Sequence, residues 1–173
     1  MKNGITVKKC IAALFGIFFV GAGVAFNAGS GLGNDPVGIF YDGIRVICGL
    51  DGAQLGIASN IVNVVIAFTL VFVGRRYINI GTLIYILPYG FFVGFGNRMY
   101  QLFLPGESLV IKTVGVVSGS LMICIGVAIF IVADIGVDPL TGLTMVMGEK
   151  LKIPYRKAKV LFDLMITVAG FMM

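Results

Sequence analysis

The chain reads Gly31-Leu32-Gly33-Asn34-Asp35-Pro36 and, 103 residues later, Asp134-Ile135-Gly136-Val137-Asp138-Pro139. Glycine is permissive in its backbone angles, and proline disfavours the α conformation in the residue before it, so neither stretch continues a helix. Each aspartate before proline stands where an N-cap belongs, with proline at the first helical position. Both stretches therefore predict a break that is followed by a new, short helix.

Long apolar runs surround both breaks. About 20 apolar residues in a helix cross a hydrocarbon core of about 30 Å. The chain is 58% hydrophobic and only 12% charged, whereas a soluble domain carries about 25% charged residues. We therefore predict an all-α polytopic transmembrane helix bundle with about five spanning helices and two short Asp-Pro-initiated helices. The predicted spans are Cys10–Phe26, Ile57–Val73, Ile80–Phe95, Val114–Val132 and Val160–Met173, the last of them interrupted by Asp163.

The similarity between the two halves extends beyond the breaks. At the same offset, Gly16 and Gly23 fall on Gly119 and Gly126, which predicts close helix packing in both halves. We predict a single transmembrane domain over residues 1–173, with repeat unit one at 8–103 and repeat unit two at 111–173. Unit two stops before a counterpart of the third helix of unit one, so we expect the sequence to be a fragment.

Charge predicts the orientation of the helices. Three spans per unit is an odd number, so unit two enters the membrane from the opposite face and the two copies are inverted. Cytoplasmic loops carry an excess of Lys and Arg. With a cytoplasmic N-terminus, the cytoplasmic side holds Lys2, Lys8, Lys9, Arg75, Arg76, Lys150, Lys152, Arg156, Lys157 and Lys159, and the far side holds only Arg45, Arg98 and Lys112.

Polar groups among the apolar runs are the candidate substrate-binding residues. An ionisable group in a spanning helix costs about 2.5–3.5 kcal/mol and usually faces a cavity or a partner. Three structural alternatives stay open: the break aspartates cap helices at the membrane edge, Asp163 pairs with Lys159 one turn earlier, and Asn60 with Asn63 joins helices. The candidates are Gly33, Asp35, Pro36, Gly136, Asp138, Pro139, Asn60 and Asp163.

Composition argues against several chemistries. The chain has no histidine, and Cys10, Cys48 and Cys124 stand isolated, so we predict no metal, no cofactor and no catalytic residue. The net charge of +5 is read as a topology signal, and we expect no nucleic-acid partner. Several of the six tyrosines stand at predicted helix ends, as in the aromatic belt of a membrane protein. They are Tyr41, Tyr77, Tyr85, Tyr89, Tyr100 and Tyr155.

Three motifs resemble those of the YczE/YitT-type family of bacterial integral membrane proteins. They are Gly31-Leu-Gly-Asn-Asp-Pro36, Gly136-Val-Asp-Pro139, and Asn79-Ile-Gly-Thr82 after Gly74-Arg-Arg76, and the resemblance covers nearly the whole chain. It implies a multi-pass protein of the bacterial cytoplasmic membrane. It implies little about activity and supplies no catalytic residues. Members of that family usually continue past the point where this sequence stops.

Two functions remain in competition. The first is a secondary transporter of an unidentified small molecule or ion, which uses the two broken-helix sites. The second is a membrane partner or assembly factor that transports nothing and docks through the basic stretch 150–159. We do not expect an enzyme. The lipid bilayer is the expected partner, the oligomeric state is open, and the segments 36–50 and 139–151 are re-entrant, interfacial or spanning.

Overall fold

Seven helices make up the part of the chain that the structure, a computed structural model, describes, which is residues 6–173. No β-strand occurs in these residues, so the all-α fold class is confirmed. Two 3-10 turns, Gly52–Gln54 and Arg75–Tyr77, precede the third and fourth helices. Lys2 and the predicted cytoplasmic N-terminus lie outside the described residues. The helices are α1 Val7–Ser30, α2 Pro36–Ile47, α3 Leu55–Val73, α4 Ile80–Phe103, α5 Leu109–Ala133, α6 Pro139–Lys150 and α7 Tyr155–Phe171.

Within residues 6–173, four helical segments are long and apolar enough to cross a membrane, whereas the sequence predicted about five. The fifth predicted span falls in α7, whose 17 residues reach only about 25 Å. This helix also carries Lys159 and Asp163, which lower its hydropathy. The four segments are Val7–Ser30, Gly52–Val73, Ile80–Phe103 and Leu109–Ala133.

Large apolar side chains cover the outside of the bundle. Leu87 is 79% exposed, Phe72 73% and Val132 82%. A continuous surface of this kind favours aggregation in water but is well solvated by hydrocarbon. The fold is therefore all-helical and membrane-like, as the composition predicts.

The centre of the bundle is the crossing of α1 and α5. A Cβ atom placed on Gly16 would lie 2.7 Å from the carbonyl oxygen of Gly126, and one on Gly23 would lie 2.6 Å from that of Gly119. Gly16, near the start of α1, contacts Gly126, and Gly23, further along α1, contacts the earlier Gly119 of α5. The two helices therefore run antiparallel. All four positions need glycine, because the backbones themselves are in contact.

Each short helix packs against a helix from the other half of the chain. In α2, a Cβ atom on Gly43 would lie 2.7 Å from the carbonyl oxygen of Gly170 in α7. In α6, a Cβ atom on Gly142 would lie 3.0 Å from a methyl group of Leu70 in α3. The two halves are therefore interlocked and share one core.

Backbone conformation repeats at the same 103-residue offset as the sequence. Residues with positive φ occur in pairs, two pairs within the breaks and one pair directly after the short helices. Among the described residues, only Gly106 in the turn between α4 and α5 has positive φ without a counterpart. The pairs are Gly31 (66°) with Asp134 (48°), Gly33 (129°) with Gly136 (142°), and Gly49 (64°) with Lys152 (54°).

Candidate functional site

The two breaks end in the predicted N-caps. Asp35 has φ −66° and ψ 162°, and its Oδ1 accepts a hydrogen bond of 3.2 Å from the amide of Gly38. Asp138 has φ −69° and ψ 160°, and its Oδ1 accepts one of 3.0 Å from the amide of Thr141. Each carboxylate therefore occupies the positive N-terminal end of a 12-residue helix.

Each break forms a hydrogen bond with a long helix before its short helix begins. Asn34 Nδ2 donates a hydrogen bond of 3.4 Å to the carbonyl oxygen of Val24, which lies well inside α1. In the second break, Thr82 Oγ1 donates one of 2.8 Å to the carbonyl oxygen of Val137. The first break is therefore held against α1, and the second against the start of α4.

A cavity of about 330 Å³ lies where the two breaks meet. Asp35 and Asp138 both line it, although 103 residues separate them in the chain. Apolar side chains of α1 and α5 form one wall, among them Val24 and Phe130, and α4 contributes Tyr85 and Tyr89. The cavity is therefore mostly apolar, and its lining includes two carboxylates that occupy equivalent positions in the two halves of the sequence.

A cluster of three tyrosines supports the cavity from one side. The rings of Tyr85 and Tyr89 stack with their centroids 4.9 Å apart, and Tyr41 of α2 lies 6.0 Å from Tyr89. Asn63 Nδ2 of α3 donates a hydrogen bond of 3.1 Å to the hydroxyl oxygen of Tyr41. The expected aromatic belt is wrong for these three tyrosines, which are at most 7% exposed. Tyr155, at the start of α7, is 45% exposed.

An ion pair stands beside the cavity. Lys159 lines it, and its Nζ lies 2.5 Å from Asp163 Oδ1 one turn further along α7.

Asp35 lies in the connection between α1 and α2, outside the four spanning helices. Burial raises the pKa of its carboxyl above the ordinary value of 3.8, while the amide of Gly38 and the charge of Lys159 act in the opposite direction.

The structure brings together part of the predicted site. Asp35, Gly136 and Asp138 line the cavity, and Pro36 and Pro139 begin the short helices beside it. Gly33, in contrast, borders a second cavity of about 360 Å³.

Two other candidates have structural contacts. Asn60 Oδ1 accepts a hydrogen bond of 2.9 Å from the amide of Gly90, so it joins α3 to α4 away from the cavity. Asp163 pairs with Lys159, which is the local ion pair that the sequence left open.

Sequence reasoning missed Tyr85, Tyr89 and Lys159 as parts of the site. The spacing of four residues between the two tyrosines places them on one face of α4, and this was the available signal. Lys159 could have been inferred only from its position one turn before Asp163.

No group of three Cys, Asp or Glu side chains within residues 6–173 is arranged to hold a metal ion.

The fold is that of a membrane-like helical protein with a cavity between two broken segments. The chain belongs to DUF6198, a family of unknown function, whose profile matches residues 7–173. No curated protein and no solved structure matches the chain significantly. The match does not name the YczE/YitT-type family, which stays a resemblance carried by the motifs quoted above.

Proposed function

We propose that this chain is a secondary transporter of a small molecule or ion, with the cavity between the two breaks as its substrate site. The observation that carries the proposal is the convergence of Asp35 and Asp138 on one cavity. Broken helices whose ends meet at a central site are a recurring construction of secondary transporters. Irregular backbone inside a membrane is tolerated where it lines such a cavity.

An inverted arrangement of two copies is part of this proposal. The paired positive φ values support a duplicated backbone, and the antiparallel crossing of α1 with α5 supports opposite orientations of the copies. Arg76 of the α3–α4 turn forms an ion pair with Glu149 at the end of α6, so these two basic segments lie at the same end of the bundle. That agrees with a cytoplasmic location for both and with the bacterial cytoplasmic membrane as the site of action.

Transport is tested by uptake into vesicles that contain the purified full chain. A labelled panel of organic cations, organic anions and alkali-metal ions is compared with empty vesicles. Asn is as good an N-cap as Asp, so Asp138→Asn removes the charge and keeps the helix start. We expect uptake to fall about tenfold or more in this variant, since a hydrogen bond to a charged group is worth about 1.5–3 kcal/mol.

A matched control and a second variant complete this test. Glu107→Gln removes an exposed carboxylate in the turn between α4 and α5, far from the breaks in sequence, and should leave uptake unchanged. Asp163→Asn, which frees Lys159, should also lower uptake. Unchanged uptake in both the Asp138 and Asp163 variants would refute the proposal that the substrate binds in this cavity.

A non-transporting membrane partner is the second candidate. Arg156 and Lys157 are exposed at the start of α7 and offer a basic docking surface. This function would be favoured by a protein that co-purifies with the chain and is lost when both residues are made neutral. The vesicles should then show no uptake of any compound in the panel. An enzymatic role forms no part of the proposal.

A further inference from the structure

We propose that the cavity binds an organic cation, an amine or quaternary ammonium ion with an apolar body. The inference rests on the proposed function only in taking the cavity between the breaks as the binding site. It deepens that function by naming the charge and the chemical class of the ligand.

The charge balance of the cavity favours a ligand with one positive charge. The N-terminus of a helix carries about half a positive charge, so α2 and α6 together contribute about +1. Asp35 and Asp138 contribute −2 when both are ionised and already occupy the helix ends, where an anionic ligand would bind. The positive charge of Lys159 is matched by Asp163. With both carboxylates ionised, the balance is therefore about −1, which a single cation neutralises.

Aromatic rings line the same cavity. Tyr85 stacks on Tyr89 and meets Phe130 edge to face with centroids 5.6 Å apart, and all three rings line the space. The face of an aromatic ring attracts a cation within about 6 Å of its centroid, and the effect is strongest where water is excluded. These rings add to the attraction of the carboxylates and suit an ammonium group better than a strongly hydrated ion.

The remaining wall indicates an organic ligand. Val20 and Val24 of α1 and Val127 and Ile131 of α5 present only apolar atoms to the cavity. Metal cations such as Ca²⁺ or Mg²⁺ need six or more oxygen ligands, which this wall does not offer. A volume of about 330 Å³ lies within the range of cavities that enclose small organic molecules.

Equilibrium binding to three probes of one shape tests the inference. The probes are 2-phenylethylammonium, the neutral 2-phenylethanol and the anionic 3-phenylpropionate, titrated by calorimetry into the full chain in lipid nanodiscs, with empty nanodiscs as the blank. We expect saturable binding of the ammonium ion, at least about tenfold tighter than that of the alcohol, and no binding of the carboxylate.

Variants then assign the binding to the cavity. Asp138→Asn should weaken ammonium binding about tenfold or more, whereas Glu107→Gln should leave it unchanged. Tyr85→Phe keeps the ring and should keep the affinity, while Tyr85→Leu removes the ring and should lower it about three- to tenfold.

Three results would overturn the inference: no saturable binding of 2-phenylethylammonium, equal or tighter binding of the alcohol or the carboxylate, or wild-type affinity in Asp138→Asn. The vesicle assay distinguishes a wrong ligand class from a wrong proposal of transport. Cation binding without uptake would refute transport and leave the ligand class standing. Uptake of anions or neutral solutes that depends on Asp138 would support transport and refute the ligand class.

Discussion

Replacing Gly16 by alanine tests the close crossing of α1 and α5 at the centre of the bundle. The new Cβ atom would lie 2.7 Å from the carbonyl oxygen of Gly126 and 2.9 Å from the amide nitrogen of Phe130. Ordinary van der Waals contact begins at about 3.4 Å, so the two helices must move apart by about 0.7 Å. Neither neighbour is a flexible side chain that could give way instead.

Two opposing terms set the size of the effect. An extra methyl group in a closely packed interface costs about 1–3 kcal/mol. Within a helix, alanine stabilises the folded state by about 0.5–1 kcal/mol relative to glycine. The free energy of unfolding of Gly16→Ala should therefore fall by about 0–2.5 kcal/mol relative to the wild type. Gly94 in α4 is the matched control, because a Cβ atom there meets nothing within 4 Å and only the helix gain remains.

Thermal unfolding in one detergent, followed by circular dichroism of the helices, compares the variants. We expect Gly94→Ala to be at least as stable as the wild type and Gly16→Ala to unfold at a lower temperature. Gly126→Ala should behave like Gly16→Ala, since its Cβ atom would lie 2.5 Å from the carbonyl oxygen of Gly16. Equal unfolding temperatures for Gly16→Ala and Gly94→Ala would refute the backbone contact.

Two further predictions concern the tyrosine cluster and the orientation of the halves. Asn63→Leu removes the hydrogen bond between Asn63 and the buried hydroxyl of Tyr41. The free energy of unfolding, measured in the same assay, should fall by about 1–3 kcal/mol. An unchanged stability would mean that this hydrogen bond contributes nothing. In a cysteine-free background, single cysteines at Arg45 and Lys152 should react with impermeant thiol reagents from opposite faces of the membrane. Reaction from the same face would contradict the inverted arrangement.

Features that depend on near neighbours in the sequence are predicted well. Asp35 and Asp138 precede proline, and capping is decided within three residues, so both N-caps follow from local chemistry. Gly16 and Gly23 recur at two helical turns in both halves, and their close packing follows from that spacing. The breaks were therefore predictable as breaks, because glycine and proline act on their own backbone.

Features that depend on distant neighbours were not predictable. Tyr41 and Asn63 are 22 residues apart and meet only because α2 folds back beside α3. The sequence left the path of the short helices open, since 12 residues with a few polar groups suit an interfacial helix as well as a re-entrant one. The packing of the short helices depends on contacts with the other half of the chain, such as that between Gly43 and Gly170.

The two ends of the α1–α5 crossing differ, although the adjoining breaks share one backbone conformation. Asp134 lies 3.9 Å from Lys9 across one end, whereas its counterpart Gly31 has no side chain with which Lys112 could pair. An exposed pair is worth about 0–1 kcal/mol, so it favours closure of that end without fixing it. A carrier that exposes one site to each side in turn needs two states that differ by only a few kcal/mol. In the proposed transporter, a one-sided bias of this size shifts the population towards closure of the Lys9–Asp134 end, while both breaks line the same substrate site.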